Sequence, residues 1–235
     1  MAYKAYLLLA LIVLGALSMQ LYLVKDTSTF TPDAYFHFRI MDQVADKGIL
    51  PTNDNLSFGG RTLLVSPLFY YIMAMISLFV PLAIVLKFVP LMFIAILPII
   101  IFFTVRTITE RDDASLVSAL LSAFIPITFS KTLFSLSPLT LALPLTFAAM
   151  LLFIKIPRKY ATTAFIITSV ALAIVHPSAI IFIIALLGYL AISRVEGLAT
   201  EKSELELVFF SMFLFIWVQF LIFKKAFLAH GIAIL

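Results

Sequence analysis

The chain contains no cysteine. That excludes disulfides, thiolate metal centres and cysteine nucleophiles. Charge is also scarce: Asp, Glu, Lys and Arg together make up 12% of 235 residues. Glycine is thin, with seven residues, and none sits in a phosphate-cradling loop. No zinc-ligand spacing and no nucleophile triad is present. The formal net charge of +4 is modest and falls in short loops, which fits topology signals better than nucleic-acid binding. What fills the chain instead is hydrocarbon. Hydrophobic residues reach 63% and the mean hydropathy is +1.17, against about 45–50% apolar residues in soluble domains.

That composition, in runs of about 17–24 apolar residues, predicts an all-α polytopic membrane bundle forming a single transmembrane domain over residues 1–235. The runs are Ala5–Val24, Thr62–Val80, Leu82–Val105, Ala114–Ser130, Pro138–Ile154, Ala161–Val175, Pro177–Ser193 and Leu205–Phe223. Lys4 and the small residues near Ala16-Leu17-Ser18 resemble a signal peptide with a cleavage site. The run nevertheless continues through Leu23 and Val24, a length of about 20 residues, which predicts a retained helix.

Basic loops mark the cytoplasmic side of a membrane protein. Here they are Arg106–Arg111, Lys155–Lys159 and Arg194–Lys202, alternating with nearly uncharged links at Lys131–Ser137 and His176. Two topologies satisfy them. In one, the N-terminus is inside, Thr62–Val80 does not cross, and seven helices span. In the other, eight runs span, the N-terminus is outside, and only Lys4 is misplaced. Pro67 and Pro81 bracket the doubtful segment, and Tyr70 and Tyr71 suit an interfacial position. Hydropathy alone favours a plain spanning helix there. Pro90, Pro98, Pro126 and Pro144 lie inside other runs and predict kinks.

Thr31–Arg61 is the one long polar segment, and five of the twelve acids lie between Asp26 and Asp54. Thr31 is a helix cap, Pro32 suits the first helical position, and Asp33 falls in the first turn, where the helix dipole favours an anion. Gly48 is a C-terminal stop. Asp33 and His37 share a face, as do Tyr35 and Arg39. Asn53, Asn55, Gly59 and Gly60 mark a loop.

Asp33-Ala34-Tyr35-Phe36-His37-Phe38-Arg39 resembles a motif in the first external loop of the catalytic subunit of oligosaccharyltransferase. That family belongs to the C-type (GT-C) membrane glycosyltransferases, which use polyprenyl-phosphate-linked sugars. The resemblance continues through Leu50-Pro51, Ser57-Phe58-Gly59-Gly60 and Ser66-Pro67-Leu68-Phe69-Tyr70. It covers about residues 1–150 well and the rest only in helix order. It implies a GT-C-like fold with an external loop over 25–61 and a juxtamembrane helix over 66–80 that does not cross. It implies transfer of a sugar from a polyprenyl phosphate or pyrophosphate carrier to an acceptor on the outer face of the plasma membrane. Asp33 is then the catalytic base, and His37, Arg39, Arg61, Lys131 and His176 are candidate substrate contacts.

The chain also departs from that family. Where the family carries a second acidic motif, this chain reads Ser130-Lys131-Thr132-Leu133-Phe134-Ser135-Leu136-Ser137, without an acid. The later external loop and soluble domain would lie beyond Leu235. The expectation is therefore the conserved module without a soluble C-terminal domain, and asparagine glycosylation is not implied. One matched acid is too few for a divalent metal site, so a metal-independent reaction is expected. Each candidate also has a plainer role: a helix-start acid for Asp33, interfacial packing for His37, a solvated loop charge for Arg61, a snorkelling lysine for Lys131, a turn residue for His176. The competing class is a degenerate module that binds a membrane partner. A coupled transporter is disfavoured, since ionisable residues are nearly absent from the spans.

Overall fold

The computed structural model describes residues 2–26, 32–54, 60–125 and 136–230. Almost everything described is helical, as a chain that must satisfy its backbone polar groups inside lipid requires. In chain order the helices are α1 (Ala2–Val24), α2 (Pro32–Lys47), α3 (Leu68–Ser77), α4 (Leu82–Ala95), α5 (Leu97–Thr109), α6 (Asp112–Ala123), α7 (Leu139–Ile154), α8 (Lys159–Val175), α9 (Ala179–Val195) and α10 (Lys202–His230). A two-residue antiparallel ladder, β1 (Asn53–Asp54) with β2 (Arg61–Thr62), closes the loop after α2. The polar loop read from Asn53, Gly59 and Gly60 is thus a small hairpin; Asn55 and Gly59 themselves lie outside the described residues.

Three stretches are long and apolar enough to cross a membrane: Tyr3–Val24, Ile84–Thr109 and Lys202–Lys224. Leu139–Ile154, Lys159–Val175 and Ala179–Val195 are shorter apolar helices, about 24–26 Å long at 1.5 Å per residue. The middle stretch is broken at Ile96, between α4 and α5. Pro98 explains the break, since it brings no N–H to the helix ladder and its ring crowds the preceding turn. Helix α3 has ten residues, about 15 Å, half the hydrocarbon thickness of a bilayer of ~30 Å. The proline bracket at Pro67 and Pro81 encloses it, but the helix occupies only Leu68–Ser77 of the expected 66–80.

Contacts fix which helix ends lie together. At one end, Arg106 of α5 donates to the Tyr6 hydroxyl of α1, lies over the Tyr6 ring, and pairs with Asp112 of α6 at 2.9 Å. The start of α1 and the first basic loop therefore share one end. At the opposite end, Lys87 of α4 donates to the Lys25 carbonyl at 2.9 Å, just past α1. Here α2 and α3 cap the bundle. Ala34, Ile40, Met41 and Val44 of α2 bury against Phe69, Tyr70 and Met73 of α3, together with Val85 of α4 and Leu136. A second core joins α7 to α10 through Phe153, Phe165, Phe182 and Val208. Gln219 of α10 donates to the Ala173 carbonyl of α8 at 3.0 Å.

Candidate functional site

Helix α2 begins where its sequence places it. Pro32 opens it, Asp33 sits in the first turn, and Lys47 occupies the last. Gly48 follows with φ +67 and donates to the Val44 carbonyl at 2.8 Å, a left-handed stop that suits glycine. Thr31, the expected cap, lies outside the described residues. The buried face of α2 docks on α3, and the Leu50 N–H reaches the Tyr71 hydroxyl at 3.4 Å. The polar segment is thereby held against the bundle end.

On the docked face, His37 Nδ1 lies 2.6 Å from the Tyr70 hydroxyl, with the rings tilted at 5.9 Å. Phe36 meets the His37 ring edge-on at 5.3 Å. Tyr70 is 1% exposed. Burial pulls the His37 imidazole down to about 4 from 6.5; the nearby Asp33 charge opposes this and His176 adds to it. Burial alone raises the Tyr70 phenol. The imidazole is therefore neutral and the phenol protonated at neutral pH. We assign the Tyr70 O–H as donor to Nδ1, which leaves the ring proton on Nε2.

Asp33, expected as the base, stands exposed at the start of α2, close enough for its charge to bear on His37. His176 follows α8, and its Nδ1 accepts the Ser178 N–H at 3.0 Å, closing the turn into α9. Burial lowers its basicity too. The fold thus brings Asp33, His37 and His176 to one end of the bundle from 144 residues of chain, and adds Tyr70, which sequence reasoning placed only at the interface.

Arg39 faces elsewhere. It donates to Asp54 Oδ2 at 2.7 Å. Asp54 is 6% exposed, so this is a half-buried ion pair joining α2 to β1. Asp54 is the second functional-looking residue that sequence reasoning missed. Its signal was its burial-competent place in a strand after an exposed Asn53, which a two-residue ladder is too short to reveal. Of the other candidates, the Arg61 side chain and Lys131 lie outside the described residues. Among the described residues no three of His, Cys, Asp and Glu gather as metal ligands would.

The arrangement offers one exposed carboxylate beside a neutral, hydrogen-bonded imidazole and a second imidazole. That set can accept a proton and orient a hydroxyl-bearing ligand. Comparison with protein-family models and with curated proteins finds no match to the chain.

Proposed function

We propose that this membrane protein transfers a sugar from a polyprenyl-phosphate or pyrophosphate carrier to a hydroxyl acceptor at the end of the bundle capped by α2 and α3, as a member of the GT-C class. The observation that carries this reading is the convergence of Asp33, His37, Tyr70 and His176 beside a helix too short to cross a bilayer. In the transfer, the acceptor oxygen attacks the anomeric carbon and the bond to the carrier phosphate breaks. The acceptor proton passes to the Asp33 carboxylate, and the phosphate leaves with the electron pair. Neutral His37, fixed by Tyr70, orients the groups at Asp33. Arg61 and Lys131 are the proposed partners of the departing phosphate, whose charge needs cations.

Topology supports the external site. Tyr6 with Arg106 puts the α1 start with a basic loop, and basic loops stay inside. The ten-residue α3 bears an apolar outer face of Tyr71 and Met75, continued by Leu78 and Phe79, as expected of a helix lying at the membrane surface. With α3 not crossing, α1, the α4–α5 pair, the apolar run Ala114–Ser130 that begins within α6, and α7, α8, α9 and α10 make seven crossings in the plasma membrane, and α2 lies outside.

The test supplies purified protein with polyprenyl-linked sugars and candidate acceptors. Asp33→Asn keeps the side-chain size but cannot take the proton, so its rate should fall about 10²–10⁴-fold. Full activity in that variant removes Asp33 from the mechanism. A wild type inert with every donor, yet stably bound to another membrane protein, would replace this reading with a partner subunit.

A further inference from the structure

Successive helical residues turn by about 100°, so Arg39 lies about 200° round α2 from His37, and Gln43 and Lys47 follow Arg39 at i+4 steps. This second stripe walls a cleft of about 340 Å³ between α2 and the β1–β2 hairpin. The opposite wall carries Thr52, Asn53 and Asp54, and Ile40 and Leu63 give it an apolar floor. Its volume falls at the small end of ligand pockets, about 300–1,000 Å³. It stands apart from the Asp33–His37 face.

The geometry points to a binding site for a neutral mono- or disaccharide unit in this cleft. Gln43 and Asn53 each present an amide donor and acceptor, and Thr52 a hydroxyl, the mixed set that sugar hydroxyls match. The Arg39 guanidinium is held by Asp54 at 2.7 Å, so its fork enters the site already oriented and paired with a carboxylate. Lys47 makes none of the ion pairs found among the described residues. It sits exposed in the last turn of α2, at the rim of the cleft, where its solvated charge favours the negative helix end. At the floor the partly buried Leu63 offers the apolar surface a sugar C–H face would meet, with Ile40 beneath it in the core. Among the described residues no aromatic side chain lines the cleft to stack a nucleobase. The inference rests on the cleft and not on the catalytic reading.

The full chain in lipid nanodiscs free of glycolipid and sugar detergent would be probed by saturation-transfer NMR with methyl glucoside, N-acetylglucosamine and maltose. Transfer to ring C–H protons is expected for at least one of them. Gln43→Leu should weaken binding about tenfold, and Asp33→Asn should leave it unchanged. If Gln43→Leu fails to fold, Thr52→Val and Asn53→Ala, both at exposed positions, carry the same test. Several results overturn the site: no transfer to any of the three sugars, equal transfer to the cleft variants, or displacement by inorganic phosphate. Loss of binding in Asp33→Asn would instead place the sugar on the Asp33 face, and the cleft would be withdrawn.

Discussion

Replacing Tyr70 with phenylalanine isolates one hydrogen bond. Tyr70 is 1% exposed, and phenylalanine keeps its ring, so packing against Phe69 and His37 is retained. What disappears is the 2.6 Å contact to His37 Nδ1. A half-buried nitrogen is left without its partner, which costs about 1–3 kcal/mol. In a chain of this size each kcal/mol moves the melting temperature by about 2–4 °C, so a fall of roughly 2–12 °C is expected by circular dichroism in detergent. A double-mutant cycle with His37→Leu should give a coupling above about 0.5 kcal/mol. The acid limb tests the burial of the same imidazole. The folded His37 resists protonation until about pH 4, whereas its ordinary value is 6.5. Between those values the unfolded chain binds more protons than the folded one, so stability falls as pH drops from 6.5 towards 4. The loss is at most about 3 kcal/mol from this residue, and His176 adds to it in the same direction. His37→Gln should flatten that limb. Additive effects in the cycle, or an acid limb unchanged in His37→Gln, would refute the account.

Arg39→Ala removes the charge-assisted hydrogen bond to the Asp54 carboxylate at 6% exposure and should destabilise the protein by about 1.5–3 kcal/mol; Asp54→Asn, which leaves a neutral acceptor opposite a half-exposed guanidinium, should cost less in the same unfolding assay. The absence of native cysteine makes topology directly testable: a cysteine at Thr52 should react with an impermeant reagent from outside, and one at Ala199 should not, while the reverse pattern would place α2 in the cytoplasm.

Local chemistry made α2 and α3 readable. Pro32, Asp33 and Gly48 bound one, and Pro67 and Pro81 bracket the other, though α3 ends at Ser77, before Pro81 is reached. In the Leu82–Val105 run hydropathy is continuous and blind to a missing N–H, so Pro98 predicted a kink but not that the helix divides at Ile96. Tyr70 and Asp54 escaped for a different reason. Their partners lie 33 and 15 residues away, and periodicity within one element carries no information about which elements meet. Arg39 illustrates the point: helical spacing paired it with Tyr35, but the hairpin brings a carboxylate, and a charge-assisted bond outweighs an exposed aromatic neighbour.

The two faces of α2 divide the polar segment by charge. One face is locked by the Arg39–Asp54 pair, which as a pair is net neutral and offers a phosphate little attraction. The other holds an imidazole kept neutral by burial and pinned by a phenol. Asp33 stands exposed at the solvent edge of the docked side, where the proposed carrier headgroup would arrive. A cation for that headgroup must come from a different element. This is the physical reason to look to Arg61 and Lys131 for the phosphate, and to read Arg39, despite its place in the motif, as the residue that shapes the cleft.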